Sequence, residues 1–523
     1  MTRAGDSRPK LKTPSPPSVA AASRRADRFP AIDAIVFYAL LGVIALAAIP
    51  YGAAEPWWQA FFECSIFLLA VMAVVPALVR IKRDCVPAAP DDCDEAPGPM
   101  KGAGEGARAP SGGFAPGPMK GAGEGVRAPK GRFVLGSLPV SARDSSSGLQ
   151  PIVLPIFALM VFAFAQTIPW SHSTQAGINI PETISADPFQ TREFIIQILA
   201  LLLCGCLLVV HATTRRRLRS LLQTVIVIGV ASALFGLVRQ VGQHQVGFLL
   251  PFLRPGFGYG QFINSNHFAY LMEMALGLTV GLGVFGGGEA RRRALYLLAA
   301  LPMWVALVLA NSRAGIVSML CQLMFLAVMF FSRSSETQME SRATVSRARL
   351  LGLRAGLVAL LLLGAVVTVF LVGGDPLAGR LDRLSVELDR KTADSYTLRP
   401  NIWRATAELI KDHPVAGVGF GGYRIAIAQY HHGTGDTTPR QAHSDYLELL
   451  ASGGVIALVI GLWFIFALVQ AARRPVRNRN ALARAARIGA LAGLLAVAVH
   501  SLVDFGLHLP GIALIFTCLL AIV

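Results

Sequence analysis

Stretches of about twenty apolar residues recur along this chain, and no other feature of the sequence restricts its fold so strongly. "GVIALVIGLWFIFALVQ" at 454–470 carries no charge at all. A segment of that kind is stable in hydrocarbon as a helix, which satisfies its own backbone hydrogen bonds. Twelve such spans are read, at roughly 33–50, 57–79, 150–168, 193–211, 220–238, 262–285, 294–310, 313–331, 355–373, 446–470, 488–503 and 507–523. Only 15% of residues are charged and the mean hydropathy is +0.54, whereas soluble domains carry about 25% charged residues. The expectation is an all-α polytopic membrane protein of about twelve transmembrane helices.

The basic residues orient these spans. With the N-terminus on the cytoplasmic side, the inside segments hold 35 of the 48 Lys and Arg. Nine of the other 13 lie in one long outer segment, 374–445, and loops above about 60 residues largely escape the positive-inside rule. The net charge of +17 is therefore orientation charge. No basic stretch carries the interleaved aromatics of a nucleic-acid binder, and nucleic acid is not an expected partner. Residues 1–32 are polar and lack the apolar core of a secretory signal, so the first span is expected to direct insertion. Five of the seven cysteines lie in apolar runs and two, Cys85 and Cys93, in a linker. None has zinc-site spacing or suggests a disulfide framework.

Five regions follow: a disordered cytoplasmic N-terminus (1–32), two transmembrane helices (33–79), a disordered cytoplasmic linker (80–149), a membrane domain (150–523) and, within it, an outer cap (374–445). The linker holds "APGPMKGAGEGARAP" at 96–110 and "APGPMKGAGEGVRAP" at 115–129. Such composition buries too little apolar area to offset chain entropy. Its "GAGEG" has no preceding strand or following helix, so it fails as a phosphate loop. The cap differs. Leu381, Leu384 and Leu388 recur at helical spacing, "RPNIWRATAELIKDHP" reads as an amphipathic helix ended by Pro414, and the glycines of "GVGFGGY" mark a turn before a third short helix.

Once sides are assigned, polar residues far apart in sequence converge on the outer layer. Arg313, in "NSRAG", begins span eight, and Asn264, Asn266 and His267, in "QFINSNHFA", open span six. Arg399, Arg404, His443 and Asp445 come from the cap and its junction with span ten, while His500, Asp504 and His508 bracket the last outer turn. Polar groups at membrane depth are costly and usually functional. Each also has an ordinary structural reading. Arg313 would snorkel to the interface, Arg399 would be a solvated surface charge, and His443 would flank its span. His500, Asp504 and His508 would form a hydrogen-bonded seam between helices. A metal site from His431, His432 and His443 lacks ligand spacing. "HSD" cannot be a hydrolase triad, because sequence neighbours do not form one.

Arginines and one histidine at an outer membrane surface suit a pyrophosphate leaving group. Guanidinium forks bind phosphate oxygens bidentately and stay charged at any working pH. Two or three of them would neutralise a departing diphosphate without a metal, and a neutral imidazole would take the proton of an attacking hydroxyl.

"NSRAG", "RPNIWRATAELIKDHPVAGVGFGGY", "AHSDYLELLASGG" and "HSLVDFGLHLPG", together with "INSNHFA", resemble the bacterial O-antigen ligase and polysaccharide polymerase superfamily over roughly 150–523. The resemblance implies a glycosyltransferase of the bacterial inner membrane that works at its periplasmic face. It would take a glycan from undecaprenyl pyrophosphate with inversion, using neither metal nor other cofactor. By resemblance, Arg313 and Arg399 would hold the donor diphosphate and His443 would activate the acceptor. Asn264, Asn266, His267, Arg404, Asp445, His500 and Asp504 would line the substrates. One departure stands out: Arg399 directly precedes Pro400, where the family has a looser Gly-Arg…Trp arrangement. This leaves Arg404, or Arg380 after Gly379, as substitutes. The acceptor stays open among a lipid-linked glycan, lipid A core and a protein serine. The absence of an extra soluble domain favours polymerase or ligase over protein O-oligosaccharyltransferase. A polysaccharide or lipid transporter is the competing class. Transporters bind near the midplane with broken helices and internal repeats, whereas here the polar residues crowd one face.

Overall fold

A computed structural model describes residues 30–49, 52, 55–84, 140–175, 178–242, 258–339, 399–431, 439–474 and 480–523. It is an all-α polytopic membrane protein. In chain order the helices are α1 (Pro30–Ala48), α2 (Pro56–Asp84), α3 (Val140–Gln166), α4 (Pro188–His211), α5 (Arg215–Gly242), α6 (Ser265–Phe285), α7 (Ala290–Leu309) and α8 (Arg313–Met339). There follow α9 (Arg399–Asp412), the short α10 (Tyr423–Ala426), α11 (Asp445–Arg473), α12 (Ala481–His500) and α13 (Pro510–Ile522). Among the described residues, nine helices are long and apolar enough to cross a membrane, and Pro151–Gln166 and Pro510–Ile522 are shorter apolar helices. The expected span at 355–373, most of the linker, the leucines at 381–388 and Arg380 lie outside the described residues. One feature went unread in the sequence: a hairpin of β1 (Pro169–Gln175) and β2 (Ile178–Thr183) between α3 and α4, antiparallel with Ser171 opposite Glu182.

α6 is the axis of the bundle. "SNHFAYLMEMALGLTVGLGVF" is apolar nearly all round, the pattern of a helix buried on every side. Of its span, 89% is buried, against 17% for α11. It packs along α12 through glycines four apart on both helices, Gly277 and Gly281 against Gly489 and Gly493. A methyl on Gly489 would stand 2.8 Å from the Gly277 carbonyl oxygen. The backbones therefore lie in contact, as small-xxx-small pairs permit.

α11 is broken rather than continuous. Gly454 has φ 59° and ψ −154°, a conformation open essentially to glycine alone. The backbone groups freed there are not left bare. Val455 N–H donates to Pro414 O at 2.9 Å and Ile456 N–H to Val415 O at 3.3 Å. In return, Val418 and Gly419 N–H donate to Ala451 O and Ser452 O at 3.0 and 2.9 Å. The cap loop is stitched into the break, and the fully buried Gln166 at the end of α3 donates to Ala416 O and Ser452 O at 2.7 and 2.9 Å. The break in an otherwise apolar helix is made tolerable by these protein partners.

Candidate functional site

The N-termini of α6, α8, α9 and α11 and the turn after α12 meet at one end of the bundle. Asn264 caps α6, its side chain accepting from Asn266 N–H at 2.9 Å. Asn266 then becomes a bridge. Its Oδ1 accepts from Ser312 Oγ at 2.8 Å, and its Nδ2 donates to Asp504 Oδ2. Ser312 Oγ also accepts Gly315 N–H at 3.0 Å, which caps the turn that presents the exposed Arg313. Asn311, just before, holds φ 54°, strained for a side-chain-bearing residue.

Asp504 is the anion at the centre. Its side chain is fully buried, Arg399 Nη2 reaches it at 3.4 Å, and its Oδ1 accepts Phe505 N–H at 2.9 Å. The Arg399 side chain is 40% exposed, so its fork keeps a face free for a ligand. A chain of contacts thus runs from the Arg313 turn through Ser312, Asn266 and Asp504 to Arg399, joining parts of the sequence over 200 residues apart.

His443 stands beside this chain with φ 52°. The residue before it is gripped on both sides: Trp403 Nε1 donates to Ala442 O at 3.0 Å, and Ala442 N–H donates to Glu448 Oε2 at 2.9 Å. The His443 ring packs edge-on to Phe505 at 4.9 Å between centroids, and the His267 ring meets the same phenyl at 5.1 Å. His443 Nδ1 is buried and has no hydrogen-bond partner among the described residues. Burial pushes the imidazole pKa below its ordinary value, and Arg399 pushes the same way while Asp504 opposes both. The ring is therefore neutral near pH 7, the form in which it can accept a proton.

The start of α11 is fixed to the same turn. Asp445 N–H donates to Ser501 O and Asp504 O at 3.1 Å each, and Ser501 Oγ donates to Asp445 Oδ2 at 2.6 Å. On its other side, His508 lies 3.6 Å from both Asp445 Oδ1 and Glu448 Oε1. Burial alone would lower the His508 pKa, but the two carboxylates raise it above the ordinary value. His500 points away from this layer into the bundle. It is fully buried, 2.8 Å from Glu273 Oε1 and stacked on Tyr270 at 4.0 Å. His500, Asp504 and His508 thus engage three different partners, a seam between helices. α12 ends at His500, so they do not share a helix face. Arg404 is exposed on α9, five residues and so more than a turn beyond Arg399.

Glu273, Ser312, Ser501, Phe505 and Glu448 were not read as site residues from the sequence. Glu273 had a signal, a lone carboxylate within the apolar run of span six. Ser312, Ser501 and Glu448 act through side-chain and backbone partners distant in sequence, and Phe505 through ring packing, none of which sequence displays. Among the described residues, no group of three or more His, Cys, Asp or Glu could hold a metal ion.

Residues 295–462 match a family model described as O-Antigen ligase. The matched stretch runs from α7 into α11 and contains Arg313, Arg399, Trp403, His443 and Asp445. No curated protein matches the chain. The match, which coincides with the arginine–histidine layer at one end of an all-helical membrane bundle, makes residues 295–462 similar to the O-antigen ligase family.

Proposed function

We propose that the protein transfers a glycan from a polyprenyl-diphosphate donor, undecaprenyl pyrophosphate in bacteria, to an acceptor hydroxyl at the periplasmic face of the inner membrane. The observation that carries this is the contact chain Arg313 turn–Ser312–Asn266–Asp504–Arg399, with the His443 ring packed on Phe505 alongside. Arg313 and Arg399 bind the donor diphosphate. The acceptor oxygen attacks the anomeric carbon from the face opposite the leaving group, giving inversion. Its proton passes to the His443 imidazole, and the bond between the anomeric carbon and the diphosphate oxygen breaks with its electrons leaving on the diphosphate. The two guanidinium groups stabilise that developing charge in place of a metal. Asp504 holds Arg399 in register and balances its charge, while Asn264, Asn266 and His267 shape the floor.

The test uses purified protein with lipid-linked glycan and acceptor, with and without EDTA. Arg313→Lys keeps the charge but loses the fork, and is expected to impair both donor binding and turnover. His443→Ala is expected to bind donor normally and lose transfer by about 10²–10⁴-fold, the usual worth of a general base. Full activity of His443→Ala, or abolition by EDTA, overturns the mechanism.

A further inference from the structure

The polar pair inside the bundle has no part in the chemistry above. Glu273 on α6 and His500 at the end of α12 are both fully buried and hydrogen-bonded at 2.8 Å. Among the described residues, Glu273 Oε2 and His500 Nε2 have no hydrogen-bond partner. A half-satisfied buried pair is a poor brace between helices, because well-packed apolar side chains of similar volume often stabilise as much or more. A hydrogen bond does, however, fix one orientation of the imidazole ring, which apolar packing defines less sharply.

What His500 orients is the turn that follows it. Tyr270, about one turn before Glu273 on α6, stacks on the His500 ring with centroids 4.0 Å apart and planes 13° from parallel. Its hydroxyl lies 3.2 Å from Ser501 Oγ. The backbone of Gly506 rests on the same phenol ring, where a Cβ would stand 2.5 Å from two ring carbons. Tyr270 thus touches the turn at both ends. Between those ends lie Asp504, 3.4 Å from Arg399, and Phe505, on which His443 packs at 4.9 Å. Asn266, one turn nearer the start of α6, meets Asp504 itself. Positions 266, 270 and 273 share one helix face, and that face is the bed on which the turn lies.

We propose that Tyr270 and Glu273 are positioning residues. Through His500 and Gly506 they set the turn 501–505, and with it the spacing between the Arg399 guanidinium and the His443 base. This role presupposes that Arg399 and His443 act as described above. A misplacement of about 1 Å can cost about 10²-fold in rate. A turn that carries partners of both groups therefore governs turnover through them, from inside the bundle.

A brace and a positioning device respond oppositely to one double variant. Glu273→Met with His500→Phe replaces the polar pair by apolar side chains of similar size and keeps a ring on Tyr270. Its thermal midpoint in detergent is expected to match or exceed that of wild type, while kcat for transfer falls by roughly 10- to 100-fold. Glu273→Gln keeps a hydrogen bond to His500 and is expected to retain most of kcat. Wild-type kcat in the double variant overturns the proposal. Binding is read separately with undecaprenyl diphosphate, which has no glycan to transfer. Arg399→Gln is expected to weaken that binding less in the double variant than in wild type, because the turn no longer holds the guanidinium in place. An equal loss in both backgrounds counts against the positioning role. If the double variant fails to insert, Gly506→Ala decides: its methyl presses on the Tyr270 ring and displaces the turn, so kcat should fall in inserted protein, and an unchanged kcat refutes the role. Full activity of His443→Ala would instead sink the transferase reading and leave the undecaprenyl diphosphate comparison intact, so the two failures are distinguishable.

Discussion

At the scale of single residues, the site is a problem in keeping one imidazole neutral beside a permanent cation, Arg399. Burial and Arg399 depress the His443 pKa while Asp504 pulls it up. A general base must be unprotonated, so the acidic limb of the transfer rate is expected below the ordinary histidine value of about 6.5. Arg399→Gln removes a positive neighbour and so eases protonation of His443. Its residual activity should be lost at a higher pH than in wild type, which a pH–rate profile of the two proteins reads directly. A limb that does not move would mean Arg399 and His443 do not sense each other. Trp403 acts differently, through the Ala442 carbonyl. Trp403→Phe deletes that one hydrogen bond, worth about 0.5–1.5 kcal/mol, and should slow turnover by roughly 2- to 12-fold without weakening donor binding. Arg313, Asn266 and Asp504 were legible in the sequence because a polar residue at the edge of an apolar run stands out. Trp403 was visible only as the Trp of the resembled motif, and Glu448 not at all, because the partner they share is the backbone of Ala442, and backbone partners leave no mark in residue types.

At the scale of elements, the cap and α11 are one unit joined at two glycines. Gly454 opens the helix, and Gly417, at φ 65°, lets the cap loop lie against Ser452, where any Cβ would collide with backbone. Gly417→Val should therefore lower the thermal midpoint in detergent and abolish transfer. Gly42→Ala, whose added methyl meets nothing within 4 Å, should leave both intact. The sequence showed the glycine-rich turn but not the break that receives it, since "SGGV" inside an apolar run also fits an unbroken helix. This geometry bears on the transporter alternative too, because the discontinuity is sealed by cap backbone rather than open for an ion. His508 makes a pH-dependent tie across the same junction. Its folded pKa is raised by Glu448 and Asp445, so its stabilisation is fully present below the unfolded histidine value and lost as pH rises through the folded one. Melting curves of wild type and His508→Gln should differ at mildly acidic pH and converge in alkaline buffer, and a difference that grows with pH would refute the tie.

At the scale of the whole molecule, function depends on which end of the bundle carries the site. The convergence of α6, α8, α9 and α11 on the turn after α12 is a fact of the structure. It was legible beforehand because alternating spans bring alternate loops to one side, so residues over 200 positions apart could be placed in one layer without knowing a single contact. A cavity of about 2130 Å³ lined by residues of α4, α11, α12 and α13 was not legible, since apolar walls look alike in sequence whether they face protein or lipid. The side of the membrane that the layer faces is an expectation, drawn from the 35 of 48 basic residues that the twelve-span reading assigns to the opposite side. Asp412 ends α9 at the site end, and Glu289 precedes α7 at the other, both exposed. In a chain with its native cysteines replaced, Asp412→Cys should react with an impermeant thiol reagent added to cells with a permeabilised outer membrane. Glu289→Cys should react only after the inner membrane is opened. The reverse pattern would turn the layer toward the cytoplasm, where a donor delivered to the outer leaflet could not reach Arg313, and the transferase would lose its substrate.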